Sequence, residues 1–336
     1  MKLQEFDYIL PQELIAQYPL QKRDQARLMV VERSTGRIHH SVLSGVEQYL
    51  PTRSIIVLND SRVIPARLWG RRETGGRVEI FLLNRLADGY SYEALIRPLK
   101  RLKAGEKIIF TGNGLSAQLQ DPQRKIIRFN HKNVGRSLKT IGHVPLPPYI
   151  KRADTPLDQE YYQTVYAQSE GSVAAPTAGL HFTRPLLEKL EGSGHKIVQV
   201  TLHINYATFK TVQEEDITRH RMHEESYAVS RRTKETLENA QRHGQKIIAV
   251  GTTSCRVLET LATGASALQG TTDIFIYPGY QFQMTDCLLT NFHLPRSTLL
   301  MFVYAFGGVE LIKKAYAEAI ARRYRFYSYG DCMMIV

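Results

Sequence analysis

The chain changes character between residues 65 and 149, and this change limits its possible architecture more than any other feature. Short runs with many β-branched and aromatic residues follow one another closely there, at 78–83, 90–96, 107–110 and 125–129. Gly, Asn and Asp turn signals separate the runs. Such spacing is typical of a small all-β barrel or sandwich, and no helix is predicted to interrupt it. Three prolines at 144–149 then suit a domain junction.

The sequence on either side of this segment alternates strand and helix patterns. Strand-like apolar runs occur at 54–58, 196–203, 246–250 and 299–303. Helices are predicted to begin after the N-caps Thr183 and Ser230, the second running to about 243, and also at 256–263 and 309–323. We therefore predict a mixed α/β main domain, discontinuous in sequence (1–64 and 150–336), with an inserted small all-β barrel-like domain (65–149).

Positive charge is concentrated in the predicted insert. The whole chain has a formal net charge of +12, and residues 65–149 contain 16 Lys and Arg against 6 Asp and Glu, a net +10. Clustered basic charge is the electrostatic footprint of a protein that binds a polyanion, although a merely solubilising surface is the alternative. We predict that the insert helps to hold nucleic acid, through residues that include Arg71, Arg72, Lys100, Arg101 and Lys103.

Other classes of protein receive little support from the sequence. No apolar run approaches the roughly 20 residues of a membrane-spanning helix, and the first residues do not resemble a signal peptide. Three widely separated cysteines provide neither a CxxC motif nor a disulfide framework. The cysteine pattern suits a reducing cytoplasm, and no membrane partner is expected. We expect no metal site, because no cysteine or histidine set has zinc spacing. Neither a GxGxxG nor a Walker A motif is present.

The clearest candidate site follows the predicted strand at 246–250. Gly251, Thr252, Thr253 and Ser254 place successive backbone N–H groups and two threonine hydroxyls at a helix start, which suits a carboxylate or phosphate. Arg256 would add a planar bidentate donor. An ordinary capped turn between a strand and a helix is the alternative.

Three further segments contain polar residues next to predicted elements. Small residues dominate 171–183 and let a ligand approach the backbone, with His181 as the one titratable side chain; a structural histidine is the alternative. Residues 290–298 contain the candidate site residues Asn291, His293 and Arg296. A hydrogen-bonded connecting loop is the alternative interpretation of this segment. Asp60, Arg62 and Arg67 lie where the chain enters the insert, where a junction salt bridge is equally reasonable for Arg67. Aromatic residues alternate with arginine at 324–331, which suits base stacking or a packed C-terminal strand.

Nine blocks of the chain, in order, carry a more specific signal. They include NDSRVIPARLWG (59–70), GSVAAPTAGLHFT (171–183), VGTTSCRVLE (250–259) and LTNFHLPRSTLLM (289–301), and the others are 75–79, 144–150, 162–167, 274–282 and 324–335. Together they resemble the S-adenosylmethionine:tRNA ribosyltransferase-isomerase family of the queuosine pathway. The resemblance extends from Phe6 to the end of the chain.

The resemblance implies a reaction. Family members act on tRNA with a GUN anticodon that carries 7-aminomethyl-7-deazaguanine at the wobble position. The ribosyl part of S-adenosylmethionine is transferred to the aminomethyl group and isomerised to an epoxycyclopentane, and methionine and adenine leave. S-adenosylmethionine is thus a substrate, and no metal or redox cofactor takes part. We expect a monomer.

This chemistry assigns expected roles to the candidate residues. A base must take the C5′ proton beside the sulfonium, for which His181, His293 and Asp60 are candidates. The residues 251–254, with Arg256, are expected to bind the methionine carboxylate. Tyr277 or His293 would donate to the leaving adenine. The remaining expected substrate contacts are Arg62, Arg67, Thr177, Asn291 and Arg296.

The chain departs from the family pattern after His203. The family has a Gly-x-Gly-Thr-Phe loop, whereas this chain has Asn205, Tyr206 and Ala207 in a stretch without glycine. Glycine there suggests positive φ or close ligand approach. Two hypotheses therefore stay open: an active transferase-isomerase, and a relative that binds tRNA without turnover or with an altered substrate.

Overall fold

A computed structural model describes residues 1–112, 114–132, 134–205, 212–264 and 267–336. It contains a nine-stranded mixed sheet, a closed six-stranded barrel and a two-stranded sheet. The strands of the large sheet are β1 (Arg27–Val31), β2 (Ile38–Val42), β3 (Ile55–Asn59), β12 (Lys196–Leu202), β13 (Glu225–Val229), β14 (Ile247–Val250), β15 (Gln269–Thr272), β16 (Cys287–Asn291) and β17 (Cys332–Ile335). The expected mixed α/β fold with a separate barrel is confirmed.

The centre of the large sheet is buried on both faces. Every residue of β3, β14, β16 and β17 is buried. The strand order is β15-β13-β12-β3-β14-β16-β17-β1-β2. The neighbours β12, β3, β14 and β16 run parallel to one another. Their carboxyl ends therefore lie at one edge of the sheet, which is where ligand sites form in open α/β sheets.

The barrel is made of six antiparallel strands in the order β10-β7-β6-β5-β8-β9. These are β5 (Arg67–Arg72), β6 (Arg77–Arg85), β7 (Ser91–Arg97), β8 (Lys107–Ile109), β9 (Ser116–Asp121) and β10 (Ile126–Phe129). Gly70 of β5 faces the barrel interior, where a Cβ atom would lie 2.6 Å from Ile108 Cγ2. The short strands β4 (Ser61–Val63) and β11 (Ser169–Ser172) pair in parallel beside the barrel.

One helix contradicts the expectation that 65–149 contains none. Helix α1 (Gly135–Ile141) follows β10, and its Leu138 packs into the barrel core. Val173, from beyond the predicted insert, belongs to the same core. The domain boundaries at 64 and 150 stay a prediction.

The main-body helices in the described residues are α2 (Pro156–Tyr161), α3 (Arg184–Gly192), α4 (Arg231–Arg242), α5 (Thr252–Ala262), α6 (Thr298–Gly307) and α7 (Val309–Ala321). Two of them begin at caps that the sequence predicts, whereas α5 begins at Thr252 and not at 256. Thr183 Oγ1 accepts from the N–H of Leu186, and Ser230 Oγ accepts from that of Thr233. These two caps are confirmed.

The expected strand at 299–303 is wrong. These residues belong to α6, whose cap Ser297 accepts from the N–H of Leu300 at 3.2 Å. Almost all of α6 is apolar and buried. A short apolar run has no periodicity that separates a buried helix from a buried strand, and the cap decides the outcome.

Candidate functional site

Two neighbouring cavities open at the carboxyl edge of the parallel strands, where α5 and α6 begin. The first cavity measures about 250 Å³, and its lining combines apolar residues such as Phe275 and Phe302 with polar and charged ones such as Glu225 and Arg256. The second cavity measures about 70 Å³ and is lined largely by residues from 174–178 and 290–297. Both are lined by Thr252, Thr253 and Leu299. The start of α5 therefore faces both cavities.

The backbone at the start of α5 presents donors. Gly251 is the N-cap, with φ 88° and ψ 151°, a region almost confined to glycine. The first helical bond is donated by the Cys255 N–H to the Gly251 carbonyl. Among the described residues, the N–H groups of Thr252, Thr253 and Ser254 have no acceptor. The partial positive charge of the helix start adds to these donors, so the arrangement suits an anion.

Arg256 lines the first cavity, but its expected contact with a substrate anion stays a prediction, because a protein carboxylate already pairs with it. Arg256 is buried in α5, and its Nη1 donates to Glu225 Oε2 in a buried ion pair. Glu225 Oε1 also accepts from the Asn205 N–H at 2.9 Å. Because a carboxylate of the protein already neutralises this guanidinium, Arg256 holds β13 against α5. The Ser254 hydroxyl is also occupied, since it donates to the Val250 carbonyl at 2.8 Å.

Asn291, at the end of β16, presents an unpartnered acceptor beside the second cavity. Its Nδ2 donates to the carbonyl of Tyr327 at 3.0 Å and contacts His181 Nε2 at 3.0 Å. These acceptors fix the orientation of the amide. Asn291 Oδ1 and Thr253 Oγ1 are both buried, and neither has a hydrogen-bond partner among the residues that the structure describes. A ligand in the cavities could satisfy both atoms, because an unpaired buried polar group is costly.

Tyr327 lines the same cavity under backbone strain. Its φ is 70°, a left-handed conformation that an aromatic residue seldom adopts. Its ring lies 4.5 Å from that of Tyr149, whose hydroxyl is 2.6 Å from Ser328 Oγ. The strain places the Tyr327 carbonyl against Asn291 Nδ2.

The two candidate histidines are both buried but have different surroundings. Burial, followed by the nearby guanidinium groups of Arg325 and Arg23, lowers the pKa of His181 to about 4. Burial lowers the pKa of His293 to about 3. His293 lines the second cavity and bonds Thr290 Oγ1 through Nε2 at 2.8 Å, while His181 reaches that cavity only through Asn291. Both imidazoles are therefore neutral near pH 7.

The structure places several other predicted residues away from the two cavities. Asp60 Oδ1 accepts from Thr201 Oγ1 at 2.6 Å, and Asp60 lines a different cavity that shares no residue with the first two. Arg67 lies 3.3 Å from Glu79, and Arg296 pairs with Asp7. Exposed Arg62 lines a fourth cavity near α1. None of these four residues lines either of the two cavities, and their expected roles toward the substrate stay predictions.

Two further predicted residues, Thr177 and Tyr277, lie at or near the cavities. Thr177 lines the second cavity. Tyr277 is half-buried, and its ring lies 5.0 Å from that of Phe275, which lines the first cavity. Sequence reasoning missed Phe275 and Glu225, because one aromatic or acidic residue carries no local signal for a cavity wall. Asn205 does not adopt a positive φ, and Tyr206 and Ala207 lie outside the described residues.

Four of the five basic residues singled out on the barrel are exposed. Arg71 lies on β5, and Lys100, Arg101 and Lys103 lie between β7 and β8. Arg72 differs, because its Nε lies 2.5 Å from Glu106 Oε1 and the pair is largely buried. Arg72 is therefore removed from the set available to nucleic acid.

The described residues contain neither a membrane-spanning helix nor a cluster of metal ligands. No helix there is long and apolar enough to cross a membrane. No group of three or more His, Cys, Asp or Glu side chains in that part of the chain could hold a metal ion.

Comparisons with known proteins agree along the whole chain. The profile of a family described as "Queuosine biosynthesis protein" matches residues 3–335. The S-adenosylmethionine:tRNA ribosyltransferase-isomerase of Sulfurihydrogenibium sp. (strain YO3AOP1) is 48% identical, with 100% of both chains covered, and that of Thermotoga petrophila is 46% identical with the same coverage. The crystal structure of an S-adenosylmethionine tRNA ribosyltransferase from Thermotoga maritima is similar, with a TM-score of 0.57, 37% identity, and 99% and 100% coverage.

Proposed function

The chain belongs to the queuosine biosynthesis protein family, and on that premise we propose that it transfers and isomerises the ribosyl moiety of S-adenosylmethionine onto tRNA. The acceptor is the 7-aminomethyl-7-deazaguanine wobble base of a tRNA with a GUN anticodon, and methionine and adenine are released. The observation that carries the proposal is the start of α5, where three N–H groups have no acceptor among the described residues and where Thr252 and Thr253 line both cavities. A substrate with an anionic end and an aromatic end can occupy both.

The methionine end of S-adenosylmethionine is assigned to the start of α5. Its carboxylate accepts from the N–H groups of Thr252, Thr253 and Ser254, where the helix dipole favours negative charge. Its ammonium donates to Asn291 Oδ1, a buried atom that lacks a partner in the described part of the chain. Preorganised donors of this kind require no reorganisation when the substrate binds.

The adenine end is assigned to the first cavity. Phe275, Ile274 and Phe302 supply apolar wall there, and His220 contacts the Phe275 ring edge-on at 5.3 Å. An aromatic base gains by stacking or edge contact with such a wall. Tyr277, against Phe275, is the candidate donor to the departing adenine.

His293 is the favoured base for the C5′ proton. A base must lie within hydrogen-bond reach of the proton that it takes, and His293 lines the second cavity. If Thr290 Oγ1 accepts from Nε2–H, the lone pair of Nδ1 is available, and no described residue bonds that nitrogen. His181 Nε2 instead faces the Asn291 amide, so His181 is a positioning residue.

Turnover is the decisive experiment. Purified protein is incubated with S-adenosylmethionine and tRNA carrying 7-aminomethyl-7-deazaguanine, and adenine and methionine are measured. Release of both supports the proposal, whereas binding of both substrates without release supports the non-catalytic relative. In single turnover, His293→Ala should slow adenine release by about 10²- to 10⁴-fold, and a loss below about tenfold would exclude His293 as the base.

The barrel is assigned to tRNA. Lys100, Arg101 and Lys103 are exposed, and none of them forms a salt bridge among the described residues. Replacing all three with Gln should weaken tRNA binding and lower the slope of log K against log salt by up to about 0.9 per lost phosphate contact. An unchanged slope would leave the barrel charge as a solubility feature.

A further inference from the structure

The single tryptophan of the chain lies on the outer surface of the barrel. Trp69 is in the middle of β5, between the buried residues Leu68 and Gly70, so its side chain points outwards. It is 37% exposed. By contrast, Tyr92, Phe110 and Phe129 are buried in the barrel core. Isolated exposed apolar residues are common, so the neighbours of Trp69 decide whether it has a role.

Those neighbours are cationic or apolar. The Arg77 guanidinium carbon lies 4.1 Å from the centroid of the Trp69 ring. Arg71, the next outward residue of β5, is opposite Arg77 on β6 and opposite Ile109 on β8. Ile109 is 44% exposed. We call Trp69, Arg71, Arg77 and Ile109 the Trp69 face.

The net charge around the Trp69 face is positive. Neither Arg71 nor Arg77 forms a salt bridge within the described residues. The one acid directly opposite Trp69 is Glu79, and Arg67 lies 3.3 Å from it. Exposed Lys107 lies on the same side of β8 as Ile109. The face therefore combines an aromatic plane, an apolar neighbour and uncompensated guanidinium groups.

We propose that the Trp69 face binds an unpaired nucleobase of tRNA, stacked on the indole, while Arg71 and Arg77 contact the adjoining phosphates. This inference rests on the proposed function, which makes tRNA a substrate. Proteins that bind single-stranded nucleic acid combine aromatic platforms with cationic grooves in this way. A protein partner would be expected to cover a larger apolar area than one indole and one isoleucine.

The uniqueness of Trp69 makes the contact directly measurable. Tryptophan fluorescence of the full chain reports this position alone. Titration with tRNA should quench or shift the emission, and S-adenosylmethionine alone should not. An emission that does not respond to saturating tRNA would overturn the proposal.

Substitutions separate stacking from folding. Trp69→Ala should raise the dissociation constant for tRNA by about 5- to 150-fold, whereas Trp69→Phe should retain most of the affinity. Leu157→Ala is the matched control, because Leu157 is 48% exposed on the main body. Both Trp69 variants should bind S-adenosylmethionine as the unaltered protein does, which confirms that they fold.

The outcomes distinguish this inference from the proposed function. With tRNA varied, Trp69→Ala should raise KM and leave kcat unchanged. Affinity within about twofold of the unaltered protein would refute the stacking contact while turnover still supported the function. An equal loss of affinity for a blunt RNA duplex would also refute it, because a duplex offers no unpaired internal base.

Discussion

Acidification should destabilise the ligand-free protein through the buried histidines His181 and His293. Burial lowers the pKa of His293 to about 3 and that of His181 to about 4, against about 6.5 for an exposed histidine. Between pH 6.5 and pH 4, these two histidines are therefore protonated in the unfolded chain but remain largely unprotonated in the folded protein. The stability that each neutral histidine provides is complete above about pH 6.5 and is lost as the pH falls towards the pKa of the folded state.

The size of this effect follows from the difference in proton binding. Each pH unit below 6.5 costs about 1.4 kcal/mol per histidine. From pH 7 to pH 5 each histidine should therefore lower the free energy of unfolding by about 2 kcal/mol. The value at pH 5 requires only that the pKa in the folded protein lies well below 5, not that it has a particular value.

Urea unfolding at pH 7 and pH 5 measures the effect. Every other titrating group contributes to the slope, so the comparison is between the unaltered chain and the variants His181→Gln and His293→Gln. Glutamine can keep the hydrogen bond of Nε2 to Asn291 or Thr290 without titrating. Each variant should lose about 2 kcal/mol less between the two pH values. If the variants and the unaltered chain lose the same stability, the two histidines are not buried as neutral groups.

Three substitutions around α5 test its separate parts. Gly251→Ala should cost about 1–3 kcal/mol of stability in urea unfolding, because φ is 88° even though Ala178 Cβ leaves room at 3.6 Å; no loss would contradict the strained cap. Thr253→Val should change stability by less than about 0.5 kcal/mol yet raise KM for S-adenosylmethionine about tenfold, and an unchanged KM would remove the hydroxyl from the site. Glu225→Gln should lower the free energy of unfolding by about 3–5 kcal/mol, because buried Arg256 loses its counter-charge. Thermal unfolding measures this loss, and an unchanged melting temperature would refute the ion pair.

Features set by a few neighbouring residues could be predicted from the sequence. The caps Thr183 and Ser230 depend on one side chain and an N–H three residues later, and both are observed. Strands β5 and β9 were missed. Their outward positions carry polar residues or Trp69, and β5 has Gly70 inside, so neither presents an apolar run.

Partners distant in sequence could not be predicted. Arg256 in α5 was expected to meet a substrate carboxylate, but Glu225 on β13 already pairs with it. Asp60 directly follows β3, one of the parallel strands whose carboxyl ends lie at the edge with the two cavities. Its side chain nevertheless accepts a hydrogen bond from Thr201 and lines a different cavity. A sequence identifies which residues can carry charge or donate a bond, whereas the packing of strands decides which of them remain available to a ligand.

The position of β17 has a consequence for synthesis of the chain. This strand lies between β16 and β1 and pairs in parallel with β1. A ribosome completes β1 and β2 long before it reaches 332–335, so the hairpin must wait with one edge unpaired while the rest of the protein is made. The free edge of β1, an apolar strand that is buried in the folded protein, can pair with other chains and so promote aggregation. Chains truncated before β17 should therefore aggregate or be removed by proteolysis. We expect a cell to accumulate the full-length enzyme but almost no truncated chain.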